Sequence, residues 1–443
     1  MGKLFGTDGI RGIAGIDLDA ILAVKVGMAL GEIINNNCSP TIIIGMDTRE
    51  SSDMLASAIS AGLCSVGCTV RDIGVCSTPA VAFLVKKIGA MAGIMISASH
   101  NPYNYNGIKI FGSDGCKLPD DVENRIEQLV FNGIKTSSKR IGCILKSTEL
   151  IESYLDYLSS SFDIRLDGMK VAIDCANGST CTTAERLFSG LGAQCHIIAN
   201  SPNGLNINKN CGSTSTNALK KAMILNECDV GIAFDGDGDR CIAIDRLGRE
   251  IDGDYIMAIL AMKLKNEGRL TKNTVVGTVM SNLGLRKFCE EMSINFVASA
   301  VGDRYVLETM QNEGYSFGGE QSGHIILGEL ATTGDGQLTA IALLSHIKES
   351  GKDLHTLASY MKKYPQYTVN IDSTSEQKAL LKSSAKIDDI IKNAEKSLGN
   401  TGRILVRASG TEPLIRIMVE SEQDSKAKEI CYKTAEKIRC AFA

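Results

Sequence analysis

The stretch Ile94-Met-Ile-Ser-Ala-Ser-His-Asn-Pro-Tyr-Asn-Tyr-Asn-Gly107 joins an apolar run to a loop that is rich in polar side chains. The apolar run, residues 92–96, has the composition of a buried strand. The loop carries hydroxyls, amides, a histidine and a proline, which are more polar groups than a plain turn needs. We therefore expect it to present side chains to a ligand. Ser99 is then a nucleophile, a phosphate carrier or loop filler, and its own loop does not decide between these roles.

The order of elements around this stretch occurs three times along the chain. In each repeat a β-branched strand is followed by a small polar loop, an amphipathic helix and a second strand, the pattern of a βαβ unit in a mostly parallel sheet. The first strands of the repeats are predicted at 41–45, 170–174 and 274–278. A further strand, a polar loop and a return strand follow, and these loops cover 97–107, 235–240 and 318–323. We expect three related domains that each present one loop to a shared site.

The part of the chain after about residue 364 has a different pattern. Its predicted strands lie at 369–371, 402–407 and 414–420, and its predicted helices near 376–381 and 425–441. This order indicates a small antiparallel sheet with helices on one side.

The length of 443 residues is too great for one hydrophobic core. We predict an α/β protein with three related mixed α/β domains, whose sheets are mostly parallel, and a smaller C-terminal α+β domain. The four domains are expected around a central active-site cleft. Their predicted ranges are 1–150, 151–251, 252–365 and 366–443.

The composition argues against several classes of protein. A formal net charge of −4 does not suit a general nucleic-acid binder. The first residues lack the apolar segment of a signal peptide, and the longest uncharged stretches contain Gly, Ser and Asn, so no membrane span is expected. Fifteen cysteines without a C-x-x-C pair are typical of a reducing compartment. We expect a cytoplasmic protein that binds neither nucleic acid nor membrane.

Three aspartates, Asp235, Asp237 and Asp239, alternate with glycines directly after an apolar strand. Such close carboxylates are not all ionised without a cation, and the glycines let the backbone turn so that the oxygens face one point. Hard oxygen ligands favour Mg²⁺ or Ca²⁺. An EF-hand calcium loop does not fit, because Arg240 and Arg246 occupy its glycine and glutamate positions. We predict a Mg²⁺ site with open coordination positions rather than a solvated acidic turn.

A second charged loop, Arg407-Ala-Ser-Gly-Thr-Glu-Pro413, has Arg416 shortly after it. Two guanidinium groups, two hydroxyls and a glycine in this short stretch are typical of a phosphate-binding loop. The alternative is a capped helix start, since Ser409 and Glu412 have the spacing of a capping box. The apolar residues that follow favour a strand instead, and capping leaves the arginines unexplained. We expect a phosphate clamp.

Four other features are ambiguous when each is taken alone. The loop Gly318-Gly-Glu-Gln-Ser-Gly-His324 suits sugar hydroxyls and a proton transfer near neutral pH, but a glycine-rich hairpin needs no ligand. Arg11, in the glycine loop 5–12, faces either an anion or a carboxylate. Lys109 is a candidate acid/base group or phosphate partner, although an isolated lysine is more often solvated. His100 adjoins Ser99 and is expected to order its loop rather than to act as its base.

Together and in this order, the motifs resemble those of the α-D-phosphohexomutase superfamily over essentially the whole chain. The resemblance implies that Ser99 is the phosphorylated residue. The residues that it implies for the metal site are Ser99, Asp235, Asp237 and Asp239. Those of the sugar-specificity loop are Glu320, Ser322 and His324, and those of the phosphate-binding loop are Arg407, Ser409, Gly410, Thr411 and Arg416. Ala408 departs from the proline usual in the family but leaves every donor of the loop in place.

Residues 5–12, residues 301–306 and Gln321 look like those of superfamily members that act on glucosamine phosphates. The resemblance then implies interconversion of glucosamine 6-phosphate and glucosamine 1-phosphate, on the route to UDP-N-acetylglucosamine. The reaction would pass through a bound glucosamine 1,6-bisphosphate, which also serves as an activator. One Mg²⁺ per active site is implied, with a small hexosamine phosphate as the binding partner, and a homodimer is compatible with the sequence.

The resemblance also implies roles for single residues in phosphoryl transfer. Mg²⁺ and Arg11 would offset the charge of phosphorylated Ser99, and Arg240 would steady the transferring phosphate. His324 and Lys109 are the candidates for the proton transfers. Activity on mannose or glucose phosphates is the runner-up, followed by a Mg²⁺-dependent phosphatase, which has no need for a second phosphate clamp in a separate domain.

Overall fold

The computed structural model describes residues 4–6, 8–34, 39–134, 140–409 and 413–442. Their strands form four sheets. The described residues divide into two compact units, of which the first runs up to Met280 and also includes Ile294–Tyr360. The second contains Ser281–Ser293 and the described residues from Met361 onward. No helix in these ranges is long and apolar enough to cross a lipid bilayer.

The first sheet has six strands in the order β1-β5-β4-β2-β3-β6. They are β1 (Ile10–Ile13), β2 (Thr41–Met46), β3 (Thr69–Val75), β4 (Ala92–Ile96), β5 (Tyr105–Gly112) and β6 (Ile144–Lys146). The accompanying helices are α1 (Ala20–Ile34), α2 (Ser52–Ser65), α3 (Thr78–Ile88), α4 (Asp120–Asn132) and α5 (Leu150–Ser160). Strands β2, β3, β4 and β6 pair in parallel, while β5 is antiparallel to β4 and β1. Strand β4 is buried along its whole length, which explains its uninterrupted apolar composition.

The second sheet has five strands in the order β11-β10-β9-β7-β8. They are β7 (Lys170–Asp174), β8 (Gln194–Ile198), β9 (Val230–Phe234), β10 (Cys241–Ile244) and β11 (Glu250–Ile251), with helices α6 (Ala184–Gly190) and α7 (Asn217–Leu225). Strand β7 pairs in parallel with β8 and β9, and β10 runs antiparallel to β9.

The third sheet has four strands in the order β13-β12-β14-β15. They are β12 (Thr274–Thr278), β13 (Asn295–Ser299), β14 (Phe317–Gly319) and β15 (Ile325–Leu327). The helices in this part of the chain are α8 (Gly253–Asn266), α9 (Leu283–Glu291), α10 (Asp303–Glu313), α11 (Gly336–Ser350) and α12 (Leu354–Ala358). Helix α9 belongs to the second compact unit.

The C-terminal sheet is fully antiparallel, in the order β16-β18-β17. Its strands are β16 (Gln366–Asp372), β17 (Gly402–Ala408) and β18 (Leu414–Ser421), and its helices are α13 (Ser375–Ser383), α14 (Ala385–Leu398) and α15 (Asp424–Phe442). Short 3₁₀ helices elsewhere cover Ser179–Thr182, Thr271–Asn273 and Gly399–Thr401.

The predicted fold class, three mixed α/β sheets followed by a small antiparallel sheet with helices, is confirmed. In each of the first three sheets a strand ends in the predicted polar loop and an antiparallel strand leads back, in the pairs β4–β5, β9–β10 and β14–β15. Helix α14 is not among the predicted elements, although Ser384 caps its first turn by accepting a hydrogen bond from the amide of Ile387.

Candidate active site

Ser99 lies in the loop between β4 and β5. Its backbone has a φ of 53°, a left-handed conformation that residues other than glycine rarely adopt. The side chain is buried, and its Oγ donates a 2.6 Å hydrogen bond to Oδ2 of Asp235. The structure therefore places the Ser99 loop against the acidic loop that follows β9.

The ring of His100 lies beside Ser99, with Nδ1 3.3 Å from Oγ. Burial, together with the charges of Arg240 and Arg11, lowers the pKa of His100 to about 4. A group with so low a pKa is a weak proton acceptor at neutral pH. This position supports the predicted loop-ordering role.

The carboxylates of Asp235, Asp237 and Asp239 form a buried cluster in which one oxygen of each lies within 4.8 Å of the other two. Burial and the two neighbouring carboxylates raise the pKa of Asp235 well above its usual value. One oxygen each of Asp237 and Asp239, Oδ1 in both cases, is buried without a hydrogen-bond partner among the described residues. Such oxygens are costly to bury unless a cation binds them. An all-oxygen set of this kind fits a hard divalent cation such as Mg²⁺.

Glycine at position 236 allows the acidic loop and the Ser99 loop to approach closely. A Cβ atom here would lie 2.6 Å from the carbonyl oxygen of Ser99 and 2.9 Å from the side-chain nitrogen of Asn208. The alternation of glycine with aspartate thus meets a packing requirement as well as a need to turn the backbone.

Lys109, in β5, contacts the acidic cluster directly. Its Nζ is 2.7 Å from Asp237 and 3.5 Å from Asp239, and 3.2 Å from a further carboxylate, Asp8. Burial alone would lower the pKa of Lys109, but these three carboxylates raise it well above its usual value. Lys109 is therefore a buried, ion-paired ammonium and not a solvated lysine.

Asp8 connects Arg11 to the same network. Its carboxylate contacts both Arg11 and Lys117, and Lys117 in turn lies 2.5 Å from Asp303. Arg11 Nε is nevertheless buried without a hydrogen-bond partner among the residues described. The sequence predicts either an anion or a carboxylate beside Arg11. The carboxylate is that of Asp8, and the N–H group at Nε is still available to an anion.

His324, at the end of the loop between β14 and β15, is buried beside the acidic cluster. Its Nδ1 lies 3.5 Å from Asp239, and its Nε2 accepts a 3.0 Å hydrogen bond from the amide of Gly334. Burial alone would lower the pKa of His324, but the contact with Asp239 raises it. The amide of Gly334 fixes the ring orientation, so that the other nitrogen faces the carboxylate.

The orientation of His324 depends on the absence of a side chain at Gly334. A Cβ atom at this position would lie 2.6 Å from three atoms of the imidazole ring, so the ring would have to move. We expect Gly334→Ala to lower turnover by about ten-fold or more. Steady-state kinetics check this, with Gly190→Ala as the control, because nothing lies within 4 Å of a Cβ there. Normal turnover in Gly334→Ala would mean that the position of His324 is unimportant.

Glu320 and Ser322 lie in the loop before His324. Glu320 Oε1 accepts a 3.0 Å hydrogen bond from the amide of Gly302. Ser322 Oγ is buried and, within the described part of the chain, has no hydrogen-bond partner. An unsatisfied hydroxyl of this kind is available to a polar ligand.

Arg240 links the acidic loop to the His324 loop. Its backbone forms an isolated antiparallel bridge with His324, and its amide donates a 3.2 Å hydrogen bond to Asp235. The guanidinium Nε lies 3.9 Å from Asp235 and 3.8 Å from Asp239. The loops of the first three sheets therefore come together around Ser99, the aspartates and His324.

In the C-terminal unit, Arg407 of β17 is directly opposite Arg416 of β18. Burial and the charge of Arg416 lower the pKa of Arg407. Like charges directly opposite one another destabilise a sheet, and an anion bound between them would remove that cost. Lys378 Nζ donates to the carbonyl oxygen of Ser409 at 2.8 Å and brings another cation to the same strand end. The predicted residues Gly410 and Thr411 lie outside the described residues.

Several residues that contact the Ser99 loop, the acidic cluster or the ion pairs of Lys109 and Arg11 were not predicted from the sequence. They are Asp8, Asp47, Arg49, Thr78, Lys117, Asn208 and Asp303. For Asp47 and Arg49 a signal exists, because both directly follow β2, and the carboxyl ends of parallel strands meet at one edge of the sheet. Thr78 donates a 2.5 Å hydrogen bond to Asp237 across 159 residues of sequence, and no local pattern indicates such a contact.

The sequence matches one protein family in four consecutive parts. The family is described as phosphoglucomutase/phosphomannomutase. Its α/β/α domains I, II and III match residues 2–137, 152–248 and 252–364, and its C-terminal domain matches 369–437.

Curated relatives match over nearly the whole length. The chain is 46% identical over 443 residues to phosphoglucosamine mutase of Clostridium novyi (strain NT), covering 99% of each sequence. It is 49% identical over 427 residues to phosphoglucosamine mutase of Brevibacillus brevis, covering 95% of each.

Solved structures share the fold at low sequence identity. A phosphoglucomutase/phosphomannomutase family protein from Burkholderia thailandensis superposes with a TM-score of 0.83 at 22% identity, over 99% of this chain and 97% of that one. Aspergillus fumigatus N-acetylphosphoglucosamine mutase, in complex with GlcNAc-6P and magnesium, superposes with a TM-score of 0.67 at 17% identity, over 99% and 96% of the two chains.

Proposed function

Because the chain belongs to the phosphoglucomutase/phosphomannomutase family, we propose that it interconverts glucosamine 6-phosphate and glucosamine 1-phosphate. It is a phosphosugar mutase and hence an isomerase. The observation that supports this substrate most directly is the 46% identity, over the whole length, to a relative named phosphoglucosamine mutase.

The proposed reaction starts with a phosphoryl group on Ser99. In the first transfer the bond from phosphorus to Ser99 Oγ breaks, a bond forms from phosphorus to O1 of glucosamine 6-phosphate, and the proton of that hydroxyl passes to a base. The bound 1,6-bisphosphate then reorients. Its 6-phosphoryl group returns to Oγ, O6 regains a proton, and glucosamine 1-phosphate leaves. We assign to Arg11 and Arg240 the role of offsetting the phosphoryl charge.

Asp235, Asp237 and Asp239 would hold one Mg²⁺, with Ser99 or its phosphate as a further ligand. When bound, Mg²⁺ neutralises the negative charge that develops during phosphoryl transfer. The buried, unpartnered Oδ1 atoms of Asp237 and Asp239 support this assignment.

Lys109 and His324 are both candidates for the proton transfers, and their surroundings favour different roles. The contacts of Lys109 with three carboxylates stabilise its ammonium form, so we assign it to charge compensation. His324 has one nitrogen bound to the amide of Gly334 and the other facing Asp239, so its orientation is fixed. Because Nε2 already accepts a hydrogen bond from the amide of Gly334, we assign the proton transfers to Nδ1 of His324, which lies 3.5 Å from Asp239. Glu320 and Ser322 are proposed to bind sugar hydroxyls nearby.

The C-terminal loop is proposed to bind the phosphate that is not reacting. Its residues are Arg407, Ser409, Gly410, Thr411 and Arg416. A mutase needs such a second phosphate site because both the substrate and the bisphosphate carry a phosphate remote from the reacting one.

We expect Arg407→Ala to raise the KM for glucosamine 6-phosphate by about ten- to hundred-fold, which corresponds to one charged hydrogen bond. The stability of the ligand-free protein in urea should stay the same or increase, because the substitution removes one of two positive charges that face each other across the sheet. Arg439→Ala, an exposed position on α15, is the control and should leave KM unchanged. An unchanged KM in Arg407→Ala would remove this loop from the phosphate site.

The substrate is tested by comparing glucosamine, glucose and mannose 1-phosphates, each with its matching 1,6-bisphosphate, while free phosphate is followed. We expect the glucosamine phosphate to be the preferred substrate, with little free phosphate released. A preference for the mannose or glucose phosphate would overturn the choice of sugar, and dominant release of phosphate would overturn the mutase reaction.

We also propose a cytoplasmic location, domain boundaries near residues 150, 251 and 365, and a homodimer.

A further inference from the structure

We propose that Arg49 and Asn208 are positioning residues that hold the Ser99 loop by its carbonyl oxygens, in the same way whether or not Ser99 carries a phosphoryl group. This inference rests on the proposed function, because it concerns a serine that gives up a phosphoryl group and takes one back.

Arg49 binds the Ser99 loop through most of its guanidinium group, which is completely buried. Nη2 donates to the carbonyl oxygens of Ser99 and Asn101, at 2.9 Å in both cases, and Nη1 donates to that of Pro102. Nε donates to Asp47 at 2.8 Å. A buried Arg–Asp pair is expensive to desolvate and contributes little to stability compared with apolar side chains. Because Arg49 of this pair donates to three carbonyl oxygens of one loop, the pair points to a role in positioning that loop.

Asp47, the partner of Arg49, also helps to hold the amide of Ser99, so that these residues together anchor the loop. Its Oδ2 accepts a 2.6 Å hydrogen bond from Ser97 Oγ, which itself accepts from the amide of Ser99 at 3.0 Å. Both the amide and the carbonyl group of Ser99 are thus held. A left-handed serine persists only where its surroundings determine the backbone in this way.

Asn208 binds the same carbonyl oxygens from a different part of the chain, between β8 and β9. Its Nδ2 lies 2.9 Å from the carbonyl oxygen of Ser99 and 3.1 Å from that of Asn101. The segment between β8 and β9 therefore holds the Ser99 loop directly. This contact is independent of the hydrogen bond between Ser99 Oγ and Asp235.

None of these anchoring contacts involves Ser99 Oγ. Phosphorylation changes the charge and size of the group on Oγ but leaves the carbonyl oxygens and the amide unchanged. The bisphosphate must return a phosphoryl group to the oxygen from which the first one left. An anchor that is independent of phosphorylation keeps that oxygen in place, and a displacement of about 1 Å is enough to lower a rate about a hundred-fold.

The test uses the full-length protein with Asn208→Ala and Arg49→Lys as variants. Asn208 is half-buried and outside the sheets, so its variant remains informative if Arg49→Lys folds poorly. Thr48→Val is the matched control. It removes the 2.5 Å hydrogen bond from Thr48 Oγ1 to the carbonyl oxygen of Asn177, beside Arg49, and leaves in place the donors that bind the carbonyl oxygens of the Ser99 loop. Two quantities are measured, the single-turnover transfer from phosphorylated Ser99 to glucosamine 6-phosphate and amide hydrogen exchange of residues 97–104.

We expect Asn208→Ala to slow the transfer by about ten-fold and Arg49→Lys by about a hundred-fold, with KM changed by less than about two-fold. Both should speed hydrogen exchange of residues 97–104 equally in the phosphorylated and unphosphorylated proteins, and Thr48→Val should change neither quantity. Normal transfer and exchange in Asn208→Ala, faster exchange in only one phosphorylation state, or the same loss in Thr48→Val would overturn the proposal. Absence of transfer in the unmodified protein would instead overturn the proposed function, and the exchange measurement would still test the anchor.

Discussion

Ser99→Ala should lower isomerisation of glucosamine 6-phosphate by at least about a thousand-fold, equivalent to an increase of about 4 kcal/mol in the activation free energy. The reason is that the substitution removes the only oxygen proposed to carry the phosphoryl group. The folded state should change little, because Asp235 and His100 are the only hydrogen-bond partners of Oγ among the described residues.

The assay for this variant measures glucosamine 1-phosphate formation with added glucosamine 1,6-bisphosphate, together with the thermal midpoint. Ser60→Ala is the control, since its buried hydroxyl donates only to the carbonyl oxygen of Ala56 within α2. Appreciable turnover in Ser99→Ala would show that the phosphoryl group is carried elsewhere.

Asp235→Asn should abolish the stabilisation of the protein by Mg²⁺ and lower turnover by at least about a hundred-fold. Loss of a residue that only supports a metal ligand already costs about ten- to hundred-fold, and Asp235 is proposed as a ligand itself. The metal-free variant should be as stable as the unmodified protein or more stable. The substitution removes a buried negative charge that lies next to those of Asp237 and Asp239. This charge is unfavourable without a cation, as shown by the pKa of Asp235, which burial and the two neighbouring carboxylates raise. An asparagine can still accept from the amide of Arg240, as Asp235 Oδ1 does.

Thermal unfolding at increasing Mg²⁺ concentration, after treatment with a chelator, measures this effect. Asp174→Asn provides the control, because Asp174 is equally buried in β7 of the same sheet but accepts from the amides of Ala176 and Gly212. Its variant should respond to Mg²⁺ normally. Retained stabilisation by Mg²⁺ in Asp235→Asn would place the metal away from the acidic loop.

The fold and the core of the candidate site are predictable because their signals are local. An apolar strand that runs directly into Ser97-Ala-Ser-His-Asn or into alternating aspartates and glycines indicates both the element and the chemistry of the loop. The strand–loop–return pattern of β4 and β5 is of this kind, as is that of β9 and β10.

The remaining site residues depend on contacts between distant parts of the chain. Arg49 and Asn208 reach the carbonyl oxygen of Ser99 across 50 and 109 residues, respectively. Lys109 has the sequence context of an ordinary strand lysine, and only the folded chain surrounds it with three carboxylates. Asp303 joins the network through Lys117, which no spacing in the sequence indicates.

The central claim is that Ser99 carries a phosphoryl group to the sugar and takes one back. It is tested most directly with protein labelled by radioactive phosphate on Ser99 and mixed with unlabelled glucosamine 6-phosphate. We expect the label to appear in glucosamine 1,6-bisphosphate and in glucosamine 1-phosphate, with almost none in free phosphate. Label released mainly as inorganic phosphate, or label that stays on the protein while product forms, would contradict the claim.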